Sequence, residues 1–161
     1  MPMKNYVITD NHKINVLCKI AHLLNANDIV WAVGASLAIY FEGFIDDFHD
    51  IDIMVKDEDS LKAKELIQTL GVLYPQKENR NFKTKYFFEY CVEDVEIDLI
   101  GGFIIVKDGV DYDCSFTEKQ IKKKIMVNNE TIYLQSLKCW EKYYSLMGRN
   151  DKVRILENHN I

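Results

Sequence analysis

Two short segments alternate acidic and apolar side chains, and this alternation constrains the fold more than any other feature. Asp50-Ile51-Asp52-Ile53-Met54-Val55 sets Asp50, Asp52 and Met54 against Ile51, Ile53 and Val55. Val95-Glu96-Ile97-Asp98-Leu99-Ile100 repeats the pattern. Successive side chains on a strand point to opposite faces, so each segment reads as a strand with its apolar face in a core and its acids on the other side. Two carboxylates at i and i+2 repel unless a cation sits between them. Hard oxygen ligands of this kind suit Mg²⁺.

The surrounding pattern supplies the rest of a mixed architecture. Ile14, Leu17, Cys18, Ala21 and Leu24 recur at helical spacing, which predicts an amphipathic helix over 11–26. Ile29 to Val33 reads as a buried strand closed by Gly34, and Ser36 is expected to cap a short helix that Gly43 ends. Ser60 is expected to cap a second helix ending near Gly71. Residues 82–92 and 95–106 read as an antiparallel hairpin across Glu93-Asp94, with further turns at Lys107-Asp108-Gly109 and Asn128-Asn129. Two helices follow from about residue 136, one to Met147 and one after Asp151. The fold class is therefore α/β (α+β): one mixed β-sheet flanked by helices, in a single domain over 1–161.

Composition narrows the functional classes. A chain of 161 residues with 48% hydrophobic and 28% charged content is that of one globular domain. The formal charge of −5 argues against a nucleic-acid coat, which needs many Lys and Arg contacts to phosphate. The basic-biased stretches Lys119–Lys124 and Lys138–Lys152 read as a solvated helix face balanced by acids elsewhere. Cys18, Cys91, Cys114 and Cys139 have no metal-ligand spacing and read as reduced thiols. Met1 to Asp10 lacks a signal-peptide core, and no run approaches the length of a membrane span, so a cytoplasmic location is expected.

Three pieces carry chemistry. Gly34, without a Cβ, would let a ligand approach the backbone, and Ser36 with the following amides could hold phosphate oxygens. Asp50 and Asp52 form the candidate metal pair. Asp98 completes a three-carboxylate site if its strand neighbours theirs, and either Asp98 or Glu96 could take a proton from an attacking hydroxyl. Trp31, Phe44, Tyr86 and Trp140 could line an acceptor pocket or sit in the core.

Gly34-Ala35-Ser36, a short helix, His49-Asp50-Ile51-Asp52 and Asp98 together resemble the nucleotidyltransferase superfamily related to DNA polymerase beta. Within it the chain is most similar to the small bacterial lincosamide and aminoglycoside nucleotidyltransferases, which the late stretch from Tyr143 to Val153 also resembles. The resemblance covers roughly 28–156. It implies the nucleotidyltransferase fold, two Mg²⁺ ions held by Asp50, Asp52 and Asp98, and transfer of an NMP group from an NTP, with ATP the expected donor. The acceptor would be a hydroxyl of a small molecule, with a protein side chain or an RNA end as the other option, and pyrophosphate would be released. Relatives often carry a basic residue between the Gly-Ser turn and the acid pair, but residues 37–48 contain no Lys or Arg. Phosphate charge would then fall to the metals and to Lys138, Lys142, Arg149 or Lys152, of which Arg149 and Lys152 match the late motif best. Helix-capping or salt-bridging roles for these two stay open.

Two rival classes remain at this level. A non-catalytic nucleotide-binding regulator or antitoxin-like partner would share the fold, although degenerate members usually lose one of the three acids. A calcium-binding protein is suggested by Asp46, Asp47, Asp50 and Asp52, but the loop signature with its distal Glu is absent. So short a chain has little beyond the core to enclose an acceptor, so a homodimer closing the pocket is a further expectation.

Overall fold

Ten strands and five helices follow one another in a computed structural model that describes residues 3–78, 81–159 and 161. In chain order they are β1 (Asn5–Tyr6), α1 (His12–Ala26), β2 (Trp31–Val33), α2 (Ala35–Phe41), β3 (Ile51–Val55), α3 (Ser60–Gln68), β4 (Val72–Leu73) and β5 (Tyr86–Val92). Then come β6 (Val95–Gly101), β7 (Ile104–Lys107), β8 (Val110–Asp113), β9 (Ile121–Val127), β10 (Glu130–Gln135), α4 (Leu137–Leu146) and α5 (Asn150–Glu157). Eight strands form one mixed sheet in the order β1-β9-β10-β2-β3-β6-β5-β4, and β7 and β8 form a separate two-stranded sheet.

The alternating segments sit side by side at the centre. β3 pairs with β6 in parallel, with Asp52 opposite Asp98 and Ile53 opposite Leu99. Their apolar faces (Ile51, Ile53 and Val55; Ile97 and Leu99) pack with Ile14, Leu17, Ile20 and Leu24 of α1 and with Ala63 and Ile67 of α3. This is the burial that the period-2 and helical patterns require of one another. The opposite face is covered only in part, by a second cluster in which Met54 and Ile100 meet Phe103, Trp140, Tyr143 and Tyr144. What α4 and α5 leave uncovered on that face becomes a cavity.

Local chemistry explains most of the boundaries. Asn11 caps α1 by accepting from Ile14 N–H, and Ser136 caps α4 by accepting from Lys138 N–H. Glu93 and Asp94 both take positive φ, 48° and 68°, as do Asn128 and Asn129 at 50° and 65°. Two such residues in succession make the two-residue turn that matches strand twist.

Several expectations need correction. Ser36 does not cap α2; Gly34 holds the cap position, and Ser36 lies inside the first turn. Ser60 does not cap α3 either, since Asp59 is at the cap and the Ser60 hydroxyl donates to the Lys56 carbonyl. The run 95–106 is two strands, not one. Gly102 turns the chain at φ 61°, and 104–107 leaves the main sheet to pair with β8. The strand expected from residue 82 begins at Tyr86, because 82–85 crosses toward β7 through a bridge between Phe82 and Ile105. No helix among the described residues is long and apolar enough to cross a membrane, and the four cysteines are free.

Candidate active site

A cavity of about 670 Å³ opens on the sheet face that α4 and α5 only partly cover. Ser36, Asp50, Asp52, Asp98, Arg149 and Lys152 all line it. The parallel β3–β6 register carries the arrangement, because it makes Asp52 and Asp98 direct neighbours on one face.

Both carboxyls are half-buried and closely surrounded by protein. Burial holds the Asp52 carboxyl well above the usual carboxylate range, with the adjacent Asp98 and Asp50 charges adding to the effect. Burial also pushes Asp98 up to about 6, opposed by a hydrogen bond from Asp52. Both carboxyls therefore hold a proton to higher pH than a free aspartate does. Asp50 lies exposed on the bend before β3 and influences the pair through its charge. The sequence pairs Asp50 with Asp52, whereas the fold makes Asp52 and Asp98 the close pair.

Among the described residues no cation forms an ion pair with Asp50, Asp52 or Asp98. No three His, Cys, Asp or Glu side chains among them converge as a ready ligand set. The donor chemistry at the Asp52–Asp98 pair fits magnesium: oxygen donors only, like charges in contact, and a proton held where a cation would relieve the repulsion. A third ligand would come from a reoriented Asp50.

Glu96 stands apart. It shares the face of Asp98 but is exposed, accepts a hydrogen bond of 3.1 Å from the Tyr74 hydroxyl, and does not line the cavity.

Polar and cationic side chains line the same cavity. Lys152 Nζ donates to the Ser36 hydroxyl oxygen at 3.1 Å, and Ser36 is also hydrogen-bonded with Tyr144. Arg149 also lines the cavity and pairs with Asp151 at 3.3 Å, so the salt-bridging role left open for it is present. Lys138 and Lys142 are exposed and do not line the cavity. Tyr144, His49, Lys77 and Lys85 do line it. Lys77 and Lys85 were not sequence candidates, since only long-range packing brings them in, whereas His49 adjoins Asp50 in the chain.

Gly34 has a different job from the one its sequence position suggests. A Cβ there would lie 2.6 Å from Cζ2 of Trp140, so the glycine makes room for an indole ring. That ring is fixed by its N–H, which donates to Gln135 Oε1 at 2.8 Å. The next residue, Ala35, takes φ 52° and lines the cavity. Left-handed backbone costs an L residue roughly 1–2 kcal/mol, and such strain concentrates at functional turns. Of the four aromatic candidates only Trp140 lines the cavity. Trp31 is fully buried with its N–H donating to Asn25, and Phe44 stacks on His159.

A large mixed sheet flanked by five helices is the nucleotidyltransferase fold. Solved structures confirm the fold. A provisional nucleotidyltransferase from Thermotoga maritima superposes with a TM-score of 0.74 at 20% identity, covering 94% of each chain. The aminoglycoside nucleotidyltransferase ANT(2″)-Ia, in complex with adenylyl-2″-tobramycin, gives 0.62 at 12% identity, covering 90% of this chain and 87% of that one. The lincosamide antibiotic adenylyltransferase LnuA, lincomycin-bound, gives 0.60 at 13% identity, covering 93% and 97%. At the level of sequence, no family model and no curated protein matches the chain.

Proposed function

We propose that this chain transfers a nucleoside monophosphate from a nucleoside triphosphate, with ATP the expected donor, to a hydroxyl of a small-molecule acceptor. The observation that carries this reading is the Asp52–Asp98 pair sharing one cavity with Ser36, Lys152 and Arg149. The structural neighbours support the choice of donor and acceptor class, since they include an adenylyltransferase and an enzyme bound to an adenylylated antibiotic.

In this reading the acceptor oxygen attacks the α-phosphorus in line. A bond forms between that oxygen and phosphorus, the bond from phosphorus to the bridging oxygen breaks, and pyrophosphate leaves. Asp98, which lines the cavity where Glu96 does not, takes the proton of the acceptor hydroxyl. Ser36, Lys152 and Arg149 bind and orient the triphosphate oxygens. Asp50, Asp52 and Asp98 would hold magnesium, whose chemistry when bound is to neutralise the triphosphate and lower the acceptor's pKa. Gly34 contributes by seating Trp140.

The test is a screen of labelled NTPs against panels of hydroxyl acceptors, scored by pyrophosphate release with and without Mg²⁺. Release that needs no divalent metal, or Mg²⁺-dependent nucleotide binding with no transfer to any acceptor, would count against catalysis. A homodimer whose partner covers the cavity belongs to the same proposal, and a monomeric mass by light scattering at working concentration removes it.

A further inference from the structure

The cavity floor has a direction set by strand order. Ser36 follows β2, Asp52 is on β3, Asp98 on β6 and Phe87 on β5, and these four strands are adjacent in that order. Neighbouring strands lie about 4.8 Å apart, which puts Phe87 about 10 Å from the β3 axis on the side away from Ser36. Phe87 is the cross-strand partner of Ile100, two residues beyond Asp98, so it shares the face of Asp98.

In-line displacement at phosphorus places the entering and leaving oxygens on opposite sides. On the transfer reading, the pyrophosphate lies toward Ser36, Lys152 and Arg149. The acceptor must then come from the β5 side, past Asp98. The wall there is aromatic. Phe82 stacks on Phe103 with centroids 5.9 Å apart, and Phe87 is 36% exposed.

The charges on that side decide the kind of acceptor. Four carboxylates line the cavity: Asp47, Asp50, Asp52 and Asp98. Asp47 is held by Lys13 at 2.9 Å, and the other three are the acids assigned to magnesium. Glu89, the cross-strand partner of Asp98, is half-buried and does not line the cavity. The charged side chains that the segment before β5 contributes to the wall are cationic, Lys77 and Lys85, the latter paired with Asp57 at 3.0 Å. A polyamine seated here would bring several ammonium groups against Lys77 and Lys85, and among the described cavity-lining residues no carboxylate is left free of Lys13 or of the magnesium role to receive them. Desolvating unpaired charges is costly, whereas a flat apolar body gains ring contacts.

We infer that the acceptor enters over β5 against Phe87, Phe82 and Phe103, and that it is an uncharged hydroxyl compound with a flat apolar body. This rests on the transfer reading and sharpens it.

Calorimetry on the full chain with Mg²⁺ and α,β-methylene-ATP tests the inference, with phenyl β-D-glucoside and tobramycin as the two probes. The glucoside is expected to bind and tobramycin to bind more weakly or not at all. Phe87→Ala should weaken the glucoside by about threefold to tenfold, the loss of one ring contact. Phe87→Glu should weaken it too and gain tobramycin binding. Tobramycin binding to the wild-type chain as tightly as the glucoside would overturn the inference. So would absence of glucoside binding, or glucoside binding indifferent to Phe87→Ala. The transfer reading has its own readout in the same cell. If the ATP analogue itself fails to bind in the presence of Mg²⁺, that reading is lost, whatever the probes do.

Discussion

Asp52 and Asp98 are cross-strand partners in the parallel pairing of β3 with β6, and burial holds both carboxyls above the usual carboxylate range. Neither residue has a cationic partner among the described residues. Two acids facing each other in a protein-lined cavity are held there by the packing of Ile51, Ile53, Ile97 and Leu99 beneath them. The core on one face thus stabilises an arrangement that the other face disfavours.

The first prediction follows from that pairing. In the unfolded chain these carboxyls ionise near 3.8, but in the fold Asp98 holds its proton up to about 6, and Asp52 is shifted in the same direction. Between those values the folded state binds more protons at this pair, so the pair's contribution to the stability of the metal-free protein is greatest below the lower value and is lost as pH rises through about 6. Mg²⁺ should restore stability at about pH 7.5 and do little at about pH 5, because it competes with those protons. Thermal melts across pH, with Mg²⁺ and with EDTA, check this. Equal Mg²⁺ stabilisation at both pH values would argue against metal at this pair.

Asp52→Asn and Asp50→Asn should each lower nucleotidyl transfer by roughly 10²-fold or more while the fold persists. Asp52→Asn should also raise the melting temperature of the metal-free protein at neutral pH, since it removes an ionisable carboxyl from a buried pair. Turnover by the pyrophosphate assay and circular dichroism measure the two effects. Wild-type turnover in either variant would remove the metal-site proposal.

Lys152 and Tyr144 meet at the Ser36 hydroxyl, in the cavity that the acids also line. Lys152→Ala should raise the KM for the triphosphate by roughly tenfold, the worth of one hydrogen bond to a charged group, and leave the KM for the acceptor unchanged. Tyr144→Phe should act in the same direction but less strongly, by loosening Ser36. An effect on the acceptor KM alone would place the two substrates the other way round in the cavity.

Gly34→Ala should destabilise the fold by about 1–3 kcal/mol through overpacking against Trp140, with the tryptophan fluorescence shifted. Chemical denaturation reads the loss. Unchanged stability with weakened nucleotide binding would instead assign Gly34 to direct ligand approach.

Periodicity along the chain was enough to define the two acid-bearing strands, the amphipathic helix at 12–26, the Glu93-Asp94 and Asn128-Asn129 turns and the C-terminal helices. Each depends on residues a few positions apart, where alternation, spacing and turn chemistry act directly. The break at Gly102 was not legible, because an apolar β-rich run reads the same whether it stays in one sheet or leaves it for another. Ser36 and Ser60 read as helix caps for the same local reason, and each is instead bonded elsewhere: Ser36 with Lys152, 116 positions away, and Ser60 with the Lys56 carbonyl.

The candidate site divides along the same line. The sequence by itself determined that Asp52 and Asp98 lie on the faces of strands opposite the buried apolar one, because a period of two leaves no other placement once that face is buried. Which acids touch was decided by the tertiary structure. The parallel β3–β6 register sets Asp98 beside Asp52, leaves Asp50 on the exposed bend, and sends Glu96 out of the cavity. The same packing brought Lys152, Tyr144, Phe87 and Trp140 to one cavity, since cross-strand register and helix docking are non-local and no spacing along the chain encodes them.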